Sequence, residues 1–120
     1  PDQMVVNIVG DGTYFFSLPS TVYWMAQKYN APILTVILNN GGWNAPRVGV
    51  KGLHPGGMAE THNLYWVDFN PHAQLSKIAE AAGGAYACQV KEASKRKATM
   101  ERAVEEVKQG RSAVIDVVVG

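Results

Sequence analysis

Two stretches decide how this chain folds: Met4-Val5-Val6-Asn7-Ile8-Val9, closed by Gly10-Asp11-Gly12, and Ile33-Leu34-Thr35-Val36-Ile37-Leu38, closed by Asn39-Asn40-Gly41-Gly42. Each is a short apolar run rich in β-branched residues and bounded by turn formers, the pattern of a buried strand. One helix-length segment separates them. From Ser17 the period changes, and Leu18, Val22, Met25, Ala26 and Tyr29 fall on one helical face. Ser17 or Ser20 is a candidate cap, Pro19 suits a first turn, and Asn30 with Pro32 ends the helix. A strand–helix–strand unit of this kind crosses over right-handed, leaving its strands parallel and both carboxyl ends on one edge. Asp11 and Asn40 are therefore expected at the same rim of a sheet.

Beyond this unit, Gly41 to Asn70 reads as irregular, with six of the twelve glycines together with Pro46, Pro55, His54 and His62. A loop so long in a compact domain is usually functional or disordered. Pro71 then opens a helix with Leu75, Ile78, Ala79 and Ala82 inward, ending at Gly83-Gly84. Ala85 to Val90 reads as a third strand, and a charged helix follows from about Ala93 to Gln109 with Met100, Ala103, Val104 and Val107 inward. Gly110 stops that helix, and Ser112 to Val119 closes the chain as a fourth parallel strand. The fold class expected is α/β: a three-layer α/β/α domain whose mostly parallel sheet carries helices on both faces.

A chain of 120 residues is at most one domain, here taken as 1–120. A net charge of +1 favours neither nucleic acid nor an anionic membrane surface as partner. Lys95, Arg96 and Lys97 share their helix with Glu101, Glu105 and Glu106, which is a solvated face. The single cysteine, Cys88, can make no internal disulfide, and no apolar run is long enough to span a bilayer. An intracellular, cytoplasmic location is the default expectation. Pro1-Asp2-Gln3 lead almost directly into a strand with no initiator Met, so a piece of a larger protein, truncated at its amino end, is expected.

Ligands of open α/β sheets bind beyond the carboxyl ends of the strands. The turn Gly10-Asp11-Gly12-Thr13 offers backbone amides and a hydroxyl, which suit a phosphate oxygen. It lacks the Gly-Lys-Ser/Thr of a Walker loop, and Phe15 occupies the third glycine position of the dinucleotide fingerprint. A lone Asp in such a turn is ordinarily just a turn residue. Its carboxylate would repel a phosphate, however, unless a cation lay between them, and Asn40 lies at the matching strand end. Mg²⁺ takes about six oxygens and is commonly held by one or two protein groups plus phosphate. Asn40 would add a neutral amide oxygen, and the glycines at 41 and 42 leave a carbonyl free to turn inward. Ca²⁺ would fit the same oxygens with looser geometry.

Gly10-Asp11-Gly12, a spacer and Asn39-Asn40 resemble the cofactor signature of thiamin diphosphate enzymes: the diphosphate-binding domain of the acetolactate synthase, benzoylformate decarboxylase and pyruvate decarboxylase group. The resemblance extends to Gln27-Lys28-Tyr29-Asn30-Ala31-Pro32, Asn39-Asn40-Gly41-Gly42-Trp43, Asp68-Phe69 and Ser112-Ala113-Val114-Ile115-Asp116-Val117. The spacer is slightly longer than in the benzoylformate decarboxylase type, an excess that would fall between Phe15 and Pro19. By resemblance, Asp11 and Asn40 would be side-chain ligands of Mg²⁺ and the Gly42 carbonyl the third. Gly10, Gly12, Thr13 and Tyr14 would border the diphosphate, Asn39 would brace the turn, and Trp43 would be a lid or wall beside the cofactor.

The resemblance also implies a 2-oxo acid decarboxylase or carboligase, a lyase or transferase of acetolactate synthase-like character. The activating glutamate would sit on a pyrimidine-binding domain of a partner subunit, and the residue propping the bent cofactor would lie upstream. With no catalytic residue of its own, the isolated chain is expected to be inactive and to expose apolar surface. The intact enzyme is expected to be a homodimer or homotetramer. Two alternatives stay open: a flavodoxin-like module binding phosphate or nucleotide, and a non-catalytic assembly domain. Trp24 and Trp66 read as packing residues, His54 and His62 as surface residues of the long loop, and Cys88 as inert.

Overall fold

The computed structural model describes residues 3–119, so the expectation that Pro1-Asp2 lead into the first strand lies outside the described residues, as does Gly120. Four strands, β1 (Val5–Gly10), β2 (Ile33–Asn39), β3 (Tyr86–Val90) and β4 (Ala113–Val118), form one sheet in the order β1-β2-β4-β3. Every strand pairing in it is parallel. The last strand thus inserts between the second and third, an order that strand periodicity does not encode.

The helices are α1 (Asp11–Phe16), α2 (Pro19–Lys28), α3 (Asn44–Leu53), α4 (Met58–Thr61), α5 (Leu75–Gly83) and α6 (Arg96–Lys108). Alternation along the strands assigns the two faces. Ile33, Ile37, Val114 and Val9 meet Tyr14, Tyr23, Leu75 and Ala79 on the α1/α2/α5 side. Leu34, Val36, Ile115, Val117 and Val90 meet Ala103 and Val107 of α6 on the other. The three layers are as expected. Helices α2 and α5 cross closely because Gly83 has no side chain: a Cβ there would run into the Tyr23 carbonyl.

Several expectations need correction. β1 is not buried: Val5 and Val6 are exposed and Ile8 is 66% exposed, because α6 covers only β2, β4 and β3 and no strand pairs the outer edge of β1 among the described residues. α2 spans the expected helix, but a short helix not expected from the sequence, α1, precedes it, the two separated at Ser17-Leu18, with Leu18 at φ 52°. Ser17 ends α1 rather than capping α2, its Oγ donating to the Tyr14 carbonyl at 2.8 Å. The apolar face read on α2 exists, but Leu18, Val22, Met25 and Tyr29 point outward, and Pro19 and Tyr23 are buried instead. Residues 41–70 are not a continuous loop, since they hold α3 and α4, neither of which buries a residue. The second crossover helix, α5, begins at Leu75 rather than Pro71. Trp24 and Trp66 are no core residues either, Trp66 being 86% exposed.

Candidate functional site

β1 and β2 run parallel in direct register, Gly10 beside Leu38, so the residues after each strand emerge together. Asp11 is the first residue of α1 and only 2% exposed. Its Oδ1 accepts from the Gly12 amide at 2.8 Å, and its Oδ2 accepts from the amides of Gly41 and Gly42 at 2.8 and 3.0 Å. Asn40 Oδ1 accepts from the same Gly42 amide at 3.3 Å. Two oxygens that share one N–H lie no farther apart than the sum of those two bonds. The carboxylate and carboxamide expected at one rim are therefore brought together.

Gly41 has φ +81°, a left-handed conformation that suits glycine, and this bends the chain so that both glycine amides face Asp11. Gly42 leaves no room for a side chain, because a Cβ would strike the Val67 carbonyl. That region is tied by an antiparallel bridge between Gly42 and Asp68, with the Trp43 amide donating to the Val67 carbonyl at 2.9 Å. The Gly42 carbonyl accepts from the Asn44 amide at 3.1 Å, which leaves it one further lone pair.

Asn39 braces this turn. Its Oδ1 accepts from the Gly41 amide at 3.0 Å, and its Nδ2 donates to Asp116 Oδ1 at 2.9 Å. Asp116, fully buried, also accepts from Gln89 Nε2 at 2.8 Å. Above this lies a cleft of about 230 Å³ at the strand ends, lined by Asn39, Asn40, His72, Gln74, Gln89 and Lys91 among others. Sequence reasoning named Asn39 as a brace but missed Asp116, Gln89 and the rest of this cleft. A carboxylate inside an apolar strand was the available signal, since it demands partners.

Gly10 and Thr13 are exposed at the rim. The Trp43 indole lies directly on Gly12, where a Cβ would collide with it, and Trp43 packs edge-on against Phe69 at 4.7 Å, as does Phe15 at 5.2 Å. Trp43 thus covers the first turn of α1. The Tyr14 side chain is not at the rim: it is buried beside Tyr23, and its hydroxyl has no partner among the described residues. Burial, and then the nearby Tyr23 and Asp116, push the Tyr14 phenol well above its ordinary range. Only its backbone remains available to a ligand. His54 ends α3 and His62 follows α4; both are exposed and neither lines the cleft.

The donor set consists of oxygens: a carboxylate with unused lone pairs, a side-chain amide and a carbonyl. Hard divalent cations prefer such ligands. No three His, Cys, Asp or Glu residues converge on a possible metal site among the described residues, so a cation here would depend on neutral donors beside Asp11.

Comparison with known proteins agrees with this arrangement. The family described as thiamine pyrophosphate enzyme, C-terminal TPP binding domain, matches residues 1–117. The structure resembles the Rhodococcus jostii RHA1 thiamine diphosphate-dependent 4-hydroxybenzoylformate decarboxylase, with a TM-score of 0.70 and 24% identity, over 100% of this chain and 20% of that one. The chain thus spans a fifth of the length of the solved relative. With nearly its whole length matched, this chain belongs to the family of C-terminal TPP binding domains of thiamine pyrophosphate enzymes.

Proposed function

We propose that the chain is the diphosphate-binding module of a multidomain thiamin diphosphate-dependent enzyme acting on a 2-oxo acid, as decarboxylase or carboligase. Asp11, Asn40 and the Gly42 carbonyl would hold Mg²⁺, a cation that would offset the charge of the diphosphate. The observation that carries this reading is the shared Gly42 amide, which gathers Asp11 Oδ2 and Asn40 Oδ1 at the tips of adjacent parallel strands. The bound cofactor supplies a thiazolium carbon nucleophile and electron sink, chemistry that belongs to the cofactor rather than to the protein.

The residues of this chain bind and position. Gly12 and Thr13 border the diphosphate, and the absent Cβ of Gly12 allows Trp43 to close over that turn. The 2-oxo acid class, the acetolactate synthase-like character and the homodimer or homotetramer rest on the Gly10-Asp11-Gly12 and Asn39-Asn40 signature. So does the pyrimidine-binding domain as partner, while the intracellular location rests on the single cysteine, Cys88. Family membership leaves the flavodoxin-like alternative without support.

Titration of the intact enzyme tests the reading. Thiamin diphosphate with Mg²⁺ should bind far more tightly than FMN or ATP, and Asp11→Ala or Asn40→Ala should abolish turnover of pyruvate or benzoylformate. A preference for FMN or ATP contradicts it.

A further inference from the structure

We propose that Asp116, held by Gln89, is a positioning residue for the cofactor end of the sheet: it orients Asn39 and, through it, the Gly41-Gly42 turn on which Asp11 and Asn40 converge. The inference rests on the reading of Asp11 and Asn40 as metal ligands, and it adds a residue from the far side of the sheet that touches neither metal nor cofactor.

Asp116 lies between Ile115 and Val117 in the most buried strand of the domain. A carboxylate there is costly to bury, and replacing it with an apolar residue would be the simpler way to fill the space. It makes no ion pair among the described residues and accepts from two side-chain amides, Asn39 Nδ2 and Gln89 Nε2. Both of its oxygens serve as acceptors. That polarity decides which way the Asn39 amide faces. With Nδ2 committed to Asp116, Oδ1 must point to the Gly41 amide, the N–H that Asp11 Oδ2 also receives. Without a fixed acceptor behind it, the nearly symmetric Asn39 side chain can flip and set N–H against N–H at Gly41. The line Gln89, Asp116, Asn39, Gly41, Asp11 crosses the sheet from β3 through β4 and β2 to the end of β1.

Because hydrogen-bond polarity sets the Asn39 orientation, exchanging the polar groups tests the proposal. In the intact enzyme, Asp116→Asn keeps size but presents a donor where only acceptors belong. Losing an outer-shell partner typically costs a metal site about 10- to 100-fold in affinity, and a loss of that size is expected by calorimetry for thiamin diphosphate with Mg²⁺. The double variant Asn39→Asp/Asp116→Asn restores every pairing. The carboxylate placed at position 39 would accept from the new amide at position 116 and from the Gly41 N–H, while the amide oxygen at 116 would still accept from Gln89, so affinity should return towards wild type. A merely structural role would lower the melting temperature of Asp116→Asn and leave its dissociation constant unchanged.

Wild-type affinity in Asp116→Asn, or loss of affinity without recovery in the double variant, overturns the proposal. Should Asp116→Asn not fold, Gln89→Leu at the edge strand reads the same line: weaker binding supports it and unchanged binding overturns it. Asp11→Ala separates the two readings. Wild-type binding in Asp11→Ala sinks the metal assignment itself, whereas weak binding there beside normal binding in Asp116→Asn sinks only the positioning role.

Discussion

Asp11→Ala and Asn40→Ala together separate what holds the turn from what holds the ligand. Asp11 receives three amides, but they are not equally dependent on it. Gly41 and Gly42 each have a second acceptor, in Asn39 Oδ1 at 3.0 Å and Asn40 Oδ1 at 3.3 Å. For the Gly12 amide, Asp11 is the one acceptor found among the described residues' side chains. An orphaned buried amide costs about 1–3 kcal/mol, and weakening two charge-assisted bonds adds about 1 kcal/mol, so Asp11→Ala should lose about 2–4 kcal/mol of stability. Asn40 is exposed and makes a single long contact, so its truncation should cost less than about 1 kcal/mol. Urea unfolding of the purified chain measures this contrast. Calorimetry on the intact enzyme should show no such contrast: both variants should bind thiamin diphosphate with Mg²⁺ more than about 100-fold more weakly, beyond the usual cost of an outer-shell partner. Wild-type affinity in Asn40→Ala, with the fold intact, refutes the reasoning.

Other expectations follow from the core. Burial raises the Tyr14 phenol, with Tyr23 and Asp116 adding to it, and burial raises Tyr23 against a partly opposing hydrogen bond to Thr35. Both keep their protons when folded but ionise near pH 10 when unfolded. The contribution of these two tyrosines to stability should therefore be flat below that pH and fall above it by up to about 1.4 kcal/mol per pH unit for each, a part of the slope that Phe substitution removes in urea titrations. At neutral pH, Tyr14→Phe should cost almost nothing because its hydroxyl has no partner among the described residues, whereas Tyr23→Phe breaks a 2.6 Å bond to Thr35 and should cost about 1 kcal/mol. Gly83→Ala should lose about 1–3 kcal/mol, since the new methyl meets the Tyr23 backbone, which cannot rotate away. Gly49→Ala, in open space within α3, should instead gain about 0.4–1 kcal/mol in the same assay. The purified chain alone should self-associate through exposed Val6, Ile8, Phe16 and Leu18, and a concentration-independent monomer in sedimentation contradicts this.

The rim of the sheet was legible because its signals are local. Val5–Gly10 and Ile33–Asn39 are apolar runs closed by glycine and asparagine, and one intervening helix fixes their parallel pairing. The outward face of α2 was misread because periodicity locates an apolar stripe without saying what covers it. Pro19 and Tyr23 win the buried side because Gly83 lets α5 approach there. Helix α3 escaped notice because Asn44–Leu53 contains Pro46, Gly49 and Gly52, all poor helix formers. It is tied instead by long-range pairs, Arg47 to Asp68 at 2.6 Å and Lys51 to Glu60 at 3.8 Å. Asn39 was named as the brace by resemblance, but its partner Asp116 was not, because the two meet only through the insertion of β4 beside β2.

The central claim is that Asp11 and Asn40 grip one divalent ion. A crystal structure of the intact enzyme with Mg²⁺ and thiamin diphosphate tests it most directly. An Asp11 carboxylate oxygen and Asn40 Oδ1 should each lie about 2.0–2.1 Å from the ion, with diphosphate oxygens completing an octahedron. An ion held by other residues, with Asp11 engaged only by the amides of Gly12, Gly41 and Gly42, would contradict the account.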